Sequence, residues 1–208
     1  MYLRRPVLAL LLLAGCVPAA DPGADWLAMG DSILAWHRAE GGDIPGVAAD
    51  AAGVTVSNRA VSGAWLTRDV ARQDVDAPYE WLILTGGGND LRPDCGTPRE
   101  AEALDAIEAE TARLIAARTG QGGRVALVGY YPVSVAGGPF APCAEALEAL
   151  GERQAALAAA DPAVIFVDTA EVIDPADLSL YDPDLVHPSR PGATRIGALL
   201  AARIAAAE

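Results

Sequence analysis

Five short apolar runs, partly β-branched, punctuate this chain: Trp26 to Met29, Val54 to Val61, Trp81 to Thr85, Arg124 to Tyr130 and Ala163 to Asp168. Helical spacing fills much of the chain between them. Strands that alternate with helices argue for a parallel sheet covered on both faces, because a parallel neighbour is reached through a crossover. The expected class is α/β, with five parallel strands in one domain. A chain of 208 residues is long enough for one substantial core, burying roughly 70% of the surface its unfolded form exposes.

The clearest helix opens at Thr97-Pro98-Arg99-Glu100, where threonine can cap, proline suits the first turn and Glu100 completes a capping box. Leu104, Ile107, Thr111, Leu114 and Ile115 form its buried face, and Gly120 is expected to stop it in left-handed geometry. A second helix carries Leu147, Leu150, Gln154 and Leu157 and ends at Asp161-Pro162. The last runs from about Pro191 through Ile204. Segments 32–52 and 64–77 are also expected to be helical. There is no internal repeat.

The first fifteen residues stand apart. Arg4 and Arg5 precede Val7 to Leu13, an arrangement of charged and apolar regions that fits a secretory signal and is too short to span a bilayer. Leu13-Ala14-Gly15-Cys16 resembles the bacterial lipobox, in which cleavage leaves a lipid-modified cysteine as the new N-terminus. The alternative is cleavage near Ala19-Ala20 with Cys16 discarded. The expected organisation is a signal peptide at 1–15, a tether at 16–24 and a domain at 25–208. Without aspartate at position 17, the sequence resembles lipoproteins sorted to an outer membrane. The expected location is therefore its periplasmic face, reached through acyl chains alone, with a secreted or periplasmic form otherwise.

Charge narrows the partners. The net charge is -13, and losing Arg4 and Arg5 with the leader makes it -15, which disfavours nucleic acid and anionic surfaces. All fifteen basic residues are arginine, which excludes lysine chemistry. Beyond Cys16 there remain Cys95 and Cys143, an even pair in an exported chain and hence an expected disulfide, the alternative being two buried thiols. No Cys/His pattern suggests a metal site. The glycine run Gly86 to Gly88 lacks a nucleotide fingerprint, so neither cofactor nor metal is expected.

In an open parallel sheet, function collects at the carboxyl ends of the strands. There the chain places Gly30-Asp31-Ser32, then Ser62-Gly63, then Gly86-Gly87-Gly88-Asn89-Asp90, and finally the loop Asp182-Pro183-Asp184-Leu185-Val186-His187-Pro188. A serine that attacks a carbonyl needs a base within reach, and histidine is the usual one. His37 lies five residues past Ser32, expected on the same helix, where its ring is not directed back to the serine. His187 has Asp184 one turn earlier to orient it, with Asp182 as a second choice. The Ser32 N-H, the Gly63 N-H and the Asn89 amide are candidate donors to an oxyanion.

The ordered set of four blocks resembles the SGNH hydrolases, the GDSL-like esterase and lipase superfamily. It covers the chain from about Asp25 to Ile204, and Ile33 departs from the usual leucine with little change of apolar volume. The resemblance implies a flavodoxin-like three-layer α/β/α sandwich with Ser32 as nucleophile, His187 as base and Asp184 as orienter. It also implies an oxyanion hole of Ser32, Gly63 and Asn89. Asp31 and Asp90 are read as turn and loop hydrogen-bonders.

The expected activity is hydrolysis of an ester or thioester of a small acyl group or lipid through an acyl-serine intermediate. The substrate is a small molecule, lipid or glycan acyl ester, and the protein is expected to be monomeric. The rival is a non-catalytic envelope lipoprotein that binds a glycan or protein partner at the same sheet mouth.

Overall fold

The computed structural model describes residues 16–208, so the signal peptide expected at 1–15 lies outside the described residues. The five expected strands are present as β1 (Trp26–Met29), β2 (Val56–Asn58), β3 (Trp81–Leu84), β4 (Arg124–Val128) and β5 (Val164–Val167). All neighbours pair in parallel, in the order β2-β1-β3-β4-β5. This is the flavodoxin-like order, and its topological switch point opens beside the end of β1.

The strands are apolar on both faces because both faces are covered. Trp26, Ala28, Trp81, Ile83, Ala126 and Val128 face a layer built from α2 (Ile44–Ala52) and α6 (Arg190–Ala205). Leu27, Met29, Leu82, Leu84, Val125 and Leu127 face the other layer, α4 (Glu100–Thr119) and α5 (Ala144–Ala160). The two helices of the first layer lie close: a Cβ on Gly197 would stand 2.6 Å from the Val47 side chain. The result is the three-layer α/β/α sandwich.

Several local expectations are corrected. The second strand is shorter than Val54 to Val61, holding only Val56–Asn58 at the sheet edge. Segment 32–52 is not one helix. It breaks into α1 (Ser32–Ala35), a 3-10 turn at Arg38–Glu40 and α2, with left-handed backbone at His37 and Gly41 between them. His37 therefore lies beyond the serine's helix. Segment 64–77 holds no α-helix, only a 3-10 turn at Val70–Gln73. Within it, Thr67 and Gln73 reach partners far along the chain, Asp90 and Gly30.

The α4 cap is also displaced, since the Glu100 carboxylate takes the Gly96 N-H at 2.6 Å rather than that of Thr97. Gly120 is right-handed at φ -63°, and left-handed backbone comes two residues later at Gly122. A Cβ at Gly120 would still meet the Ala116 carbonyl at 2.8 Å. Asp161 closes α5 in extended backbone, as a residue before proline should.

The segment read as a tether is tied down. Arg59 donates to the Pro18 carbonyl at 2.6 Å, the Asp21 N-H reaches Ser57 Oγ at 3.0 Å, and Ala24 is buried. Cys95 and Cys143 are bonded, joining the loop after α3 (Gly88–Leu91) to the turn that opens α5. Among the described residues no helix is long and apolar enough to cross a membrane.

Candidate active site

β1 ends against β3 so closely that a Cβ on Gly30 would stand 2.6 Å from the Thr85 carbonyl, so a glycine is needed there. Gln73, fully buried, braces this residue from both sides: its Oε1 accepts the Gly30 N-H at 2.7 Å and its Nε2 donates to the Gly30 carbonyl at 2.8 Å. Asp31 then caps α1 by accepting the Ile33 N-H at 2.9 Å, which makes Ser32 the first helical residue.

The other Asp31 oxygen accepts the Tyr130 hydroxyl at 2.5 Å, and that hydroxyl accepts the Gly88 N-H at 2.9 Å. Burial pushes the Asp31 carboxyl above its usual range, against the pull of Tyr130, Ile33 and His187. Burial, with the Asp31 charge, also holds the Tyr130 hydroxyl well above its ordinary value. Both carboxylates flagged in the motifs are hydrogen-bonders, since Asp90 accepts the N-H groups of Leu66 and Thr67 and the Thr67 hydroxyl.

The glycine run serves packing. A Cβ on Gly87 would meet Ile107 at 2.8 Å and Leu150 at 3.0 Å, so only glycine lets this turn sit on α4 and α5. Asn89 Nδ2 donates to the Ala64 carbonyl at 3.0 Å and so holds the loop that carries Gly63. Gly63 itself is exposed, at φ +78°, with open space where a Cβ would be.

The loop before α6 is closed by the Tyr181–Pro188 bridge and by the Asp182 N-H on the His187 carbonyl at 2.8 Å. Within it, Asp184 takes His187 Nδ1 at 2.6 Å and the N-H groups of Val186 and His187 at 2.9 and 3.0 Å. Burial pushes the Asp184 carboxyl up, but these bonds outweigh it and hold the group below the usual carboxylate range. With Nδ1 directed at the carboxylate, His187 Nε2 is the free acceptor, and it is buried without a hydrogen-bond partner among the described residues.

Sequence reasoning did not anticipate how this loop is docked. The Trp36 indole stacks on the His187 ring, centroids 3.7 Å apart and planes 7° from parallel. Its Nε1 donates to Asp182, the second-choice orienter, while the Nδ1 of His187 is taken by Asp184. His37 Nε2 lies 3.1 Å from the Pro188 carbonyl, and the Tyr131 hydroxyl donates to the Val186 carbonyl.

Ser32 and Asn89 share one pocket, walled by Ile33, Tyr130, Tyr131, Pro132, Phe140 and Val186 among others, and enclosing about 480 Å³ with its open mouth. Gly63 is not part of that wall. Among the described residues no cluster of three or more His, Cys, Asp or Glu could hold a metal ion.

A five-stranded parallel sandwich that carries these four blocks at its sheet mouth is the architecture of the SGNH hydrolases. The chain belongs to the GDSL-like Lipase/Acylhydrolase family, whose model matches residues 28–195. Among solved structures it is similar to a candidate SGNH hydrolase from Slackia heliotrinireducens, with TM-score 0.67, 18% identity, and coverage of 86% of this chain and 97% of the other. An acetylxylan esterase from Geobacillus stearothermophilus matches with TM-score 0.63 and 20% identity, covering 88% and 94% of the two chains. A candidate lipolytic protein of the G-D-S-L family from Desulfitobacterium hafniense DCB-2 matches with TM-score 0.66 and 15% identity, covering 85% and 97%. No curated protein is significantly similar to the chain.

Proposed function

We propose that this protein is a serine esterase that cleaves esters of small acyl groups through an acyl-Ser32 intermediate. The observation that carries the reading is His187: its Nδ1 is bound to Asp184 at 2.6 Å, while its Nε2 is buried and unpaired, a base with its accepting atom free. The Ser32 hydroxyl gives its proton to Nε2 as Oγ bonds to the acyl carbon. The charge on the carbonyl oxygen is met by the N-H groups of Ser32 and Gly63 and by Asn89. One Asn89 amide hydrogen is used on Ala64, which leaves the second for the oxyanion. The imidazolium then protonates the departing alcohol, and water repeats the sequence to release the acid and free the serine.

The wall of the pocket beside Ser32 is largely apolar, which supports an acyl group as the part held there, and the likeness to an acetylxylan esterase supports acetyl. Anchoring through a lipidated Cys16 belongs to the same reading. Its support is the Leu13-Ala14-Gly15-Cys16 sequence and the exposure of Cys16. Labelling with radioactive palmitate in wild type, lost in Cys16→Ala, tests the anchor.

The enzyme is tested with nitrophenyl esters of increasing chain length. We expect the acetyl ester to be turned over fastest and Ser32→Ala to be inactive on all of them. Turnover without dependence on Ser32 overturns the proposal.

A further inference from the structure

A single hydrogen bond fixes one edge of an imidazole but not the plane of the ring. Asp184 holds His187 at Nδ1, and the ring can still swing about that contact, changing the direction in which Nε2 points. The Trp36 indole supplies the missing constraint, lying flat on the imidazole at 3.7 Å and 7°.

Trp36 is itself fixed at two points. Its N-H closes the first turn of α1 on the Ser32 carbonyl at 2.9 Å, and its indole N-H is held by the Asp182 carboxylate. Asp182 in turn donates its own N-H to the His187 carbonyl at 2.8 Å. Trp36, Asp182 and His187 form a closed circuit of contacts, tied to Ser32 through the Trp36 N-H. One turn of helix thus bears both the serine and the face on which its base rests.

We propose, resting on the esterase reading above, that Trp36 is a positioning residue that sets the plane of the His187 ring, and that Asp182 acts through it by fixing the indole. The two aspartates of the loop then divide the work: Asp184 holds the edge of the imidazole, and Asp182 holds the surface beneath it. His37 supports the same junction through its Nε2 bond to the Pro188 carbonyl at 3.1 Å.

The test compares Trp36→Leu, Trp36→Phe, Asp182→Ala and Asp182→Asn with wild type on nitrophenyl acetate, with thermal unfolding to establish that each is folded. Trp36→Leu is expected to lower kcat by about 10- to 100-fold with KM unchanged, the scale of a misplaced catalytic group. Trp36→Phe, which keeps an aromatic face, recovers most of the loss. Asp182→Asn, which keeps an acceptor oxygen, loses less than Asp182→Ala.

A second measurement does not depend on turnover. In the Ser32→Ala protein the ring protons of His187 should lie upfield in the NMR spectrum, shifted by the indole ring current, and return to ordinary positions when Trp36→Leu is added. A wild-type kcat in Trp36→Leu, a loss that phenylalanine does not recover, or His187 resonances indifferent to Trp36 overturns the proposal. An inactive wild type with the ring-current shift intact would instead count against the esterase reading.

Discussion

The hydroxyl of Tyr130 donates to Asp31 at 2.5 Å while accepting the Gly88 N-H at 2.9 Å. One side chain beyond the end of β4 thereby joins the turn that presents Ser32 to the turn that presents Asn89. Removing the hydroxyl in Tyr130→Phe keeps the ring in the pocket wall but orphans a buried N-H and weakens support of a buried carboxylate. An orphaned group of this kind costs about 1–3 kcal/mol. Urea unfolding should show that loss, and kcat on nitrophenyl acetate should fall about 10-fold as Ser32 and Asn89 lose register. Wild-type values in both measurements would mean that the link is dispensable.

Gln73 gives a purely structural test of the same turn. Its amide satisfies both the N-H and the carbonyl of Gly30 in a fully buried place. Gln73→Leu has similar volume and neither bond, so unfolding free energy should drop by about 2–4 kcal/mol. A change within the error of the urea melt would show that Gly30 is held by its neighbours alone.

Reduction of the Cys95–Cys143 bond opens a loop of 48 residues, worth about 4 kcal/mol in the loop-entropy picture. The bond ties the loop that follows α3 and Asn89 to the turn that follows Phe140. A lower melting temperature in reductant, by about 10 °C, is expected. KM should rise while the domain is still folded. Unchanged kinetics in the reduced protein would separate the bond from the site.

Acid should act on the His187 loop through Asp184. Burial pushes its carboxyl up, and the bonds from the His187 backbone and ring and the Val186 N-H bring it below its ordinary value. A folded value below the unfolded one means stability that is full above about pH 4 and is lost as pH falls through the folded value. Asp31 has the opposite sign, since burial raises it and its ionised form costs stability as pH rises above the unfolded value. Urea melts between pH 5 and pH 2 should therefore lose less stability in Asp184→Asn than in wild type. An identical slope in the two proteins would remove Asp184 from the acid response.

Part of this arrangement is legible in the chain because residues just after apolar runs lie at strand ends, which converge in a parallel sheet. Ser32 and Asn89, which share one pocket, could be found that way, the Asp184–His187 pair from its one-turn spacing, and the Cys95–Cys143 pair from the even cysteine count. What stayed hidden is held by contacts distant in sequence: Gln73 on Gly30 spans 43 positions, and Tyr130 on Asp31 spans 99. Trp36 carried a local signal, one turn past Ser32, but its stacking on His187 depends on how a loop some 150 residues later comes back to the sheet. The helix expected through 32–52 failed for a local reason, the left-handed backbone at His37, which places that ring on the Pro188 carbonyl.

The esterase reading stands or falls on Ser32. The decisive measurement is intact mass and peptide mapping of the protein quenched during turnover of nitrophenyl acetate, beside the steady-state rates of wild type and Ser32→Ala. The expected result is one acetyl group on the peptide that contains Ser32 in wild type, none in Ser32→Ala, and a kcat lower by about 10⁴-fold or more in the variant. Hydrolysis by Ser32→Ala at the wild-type rate, or acetylation at another residue that persists in that variant, would contradict it.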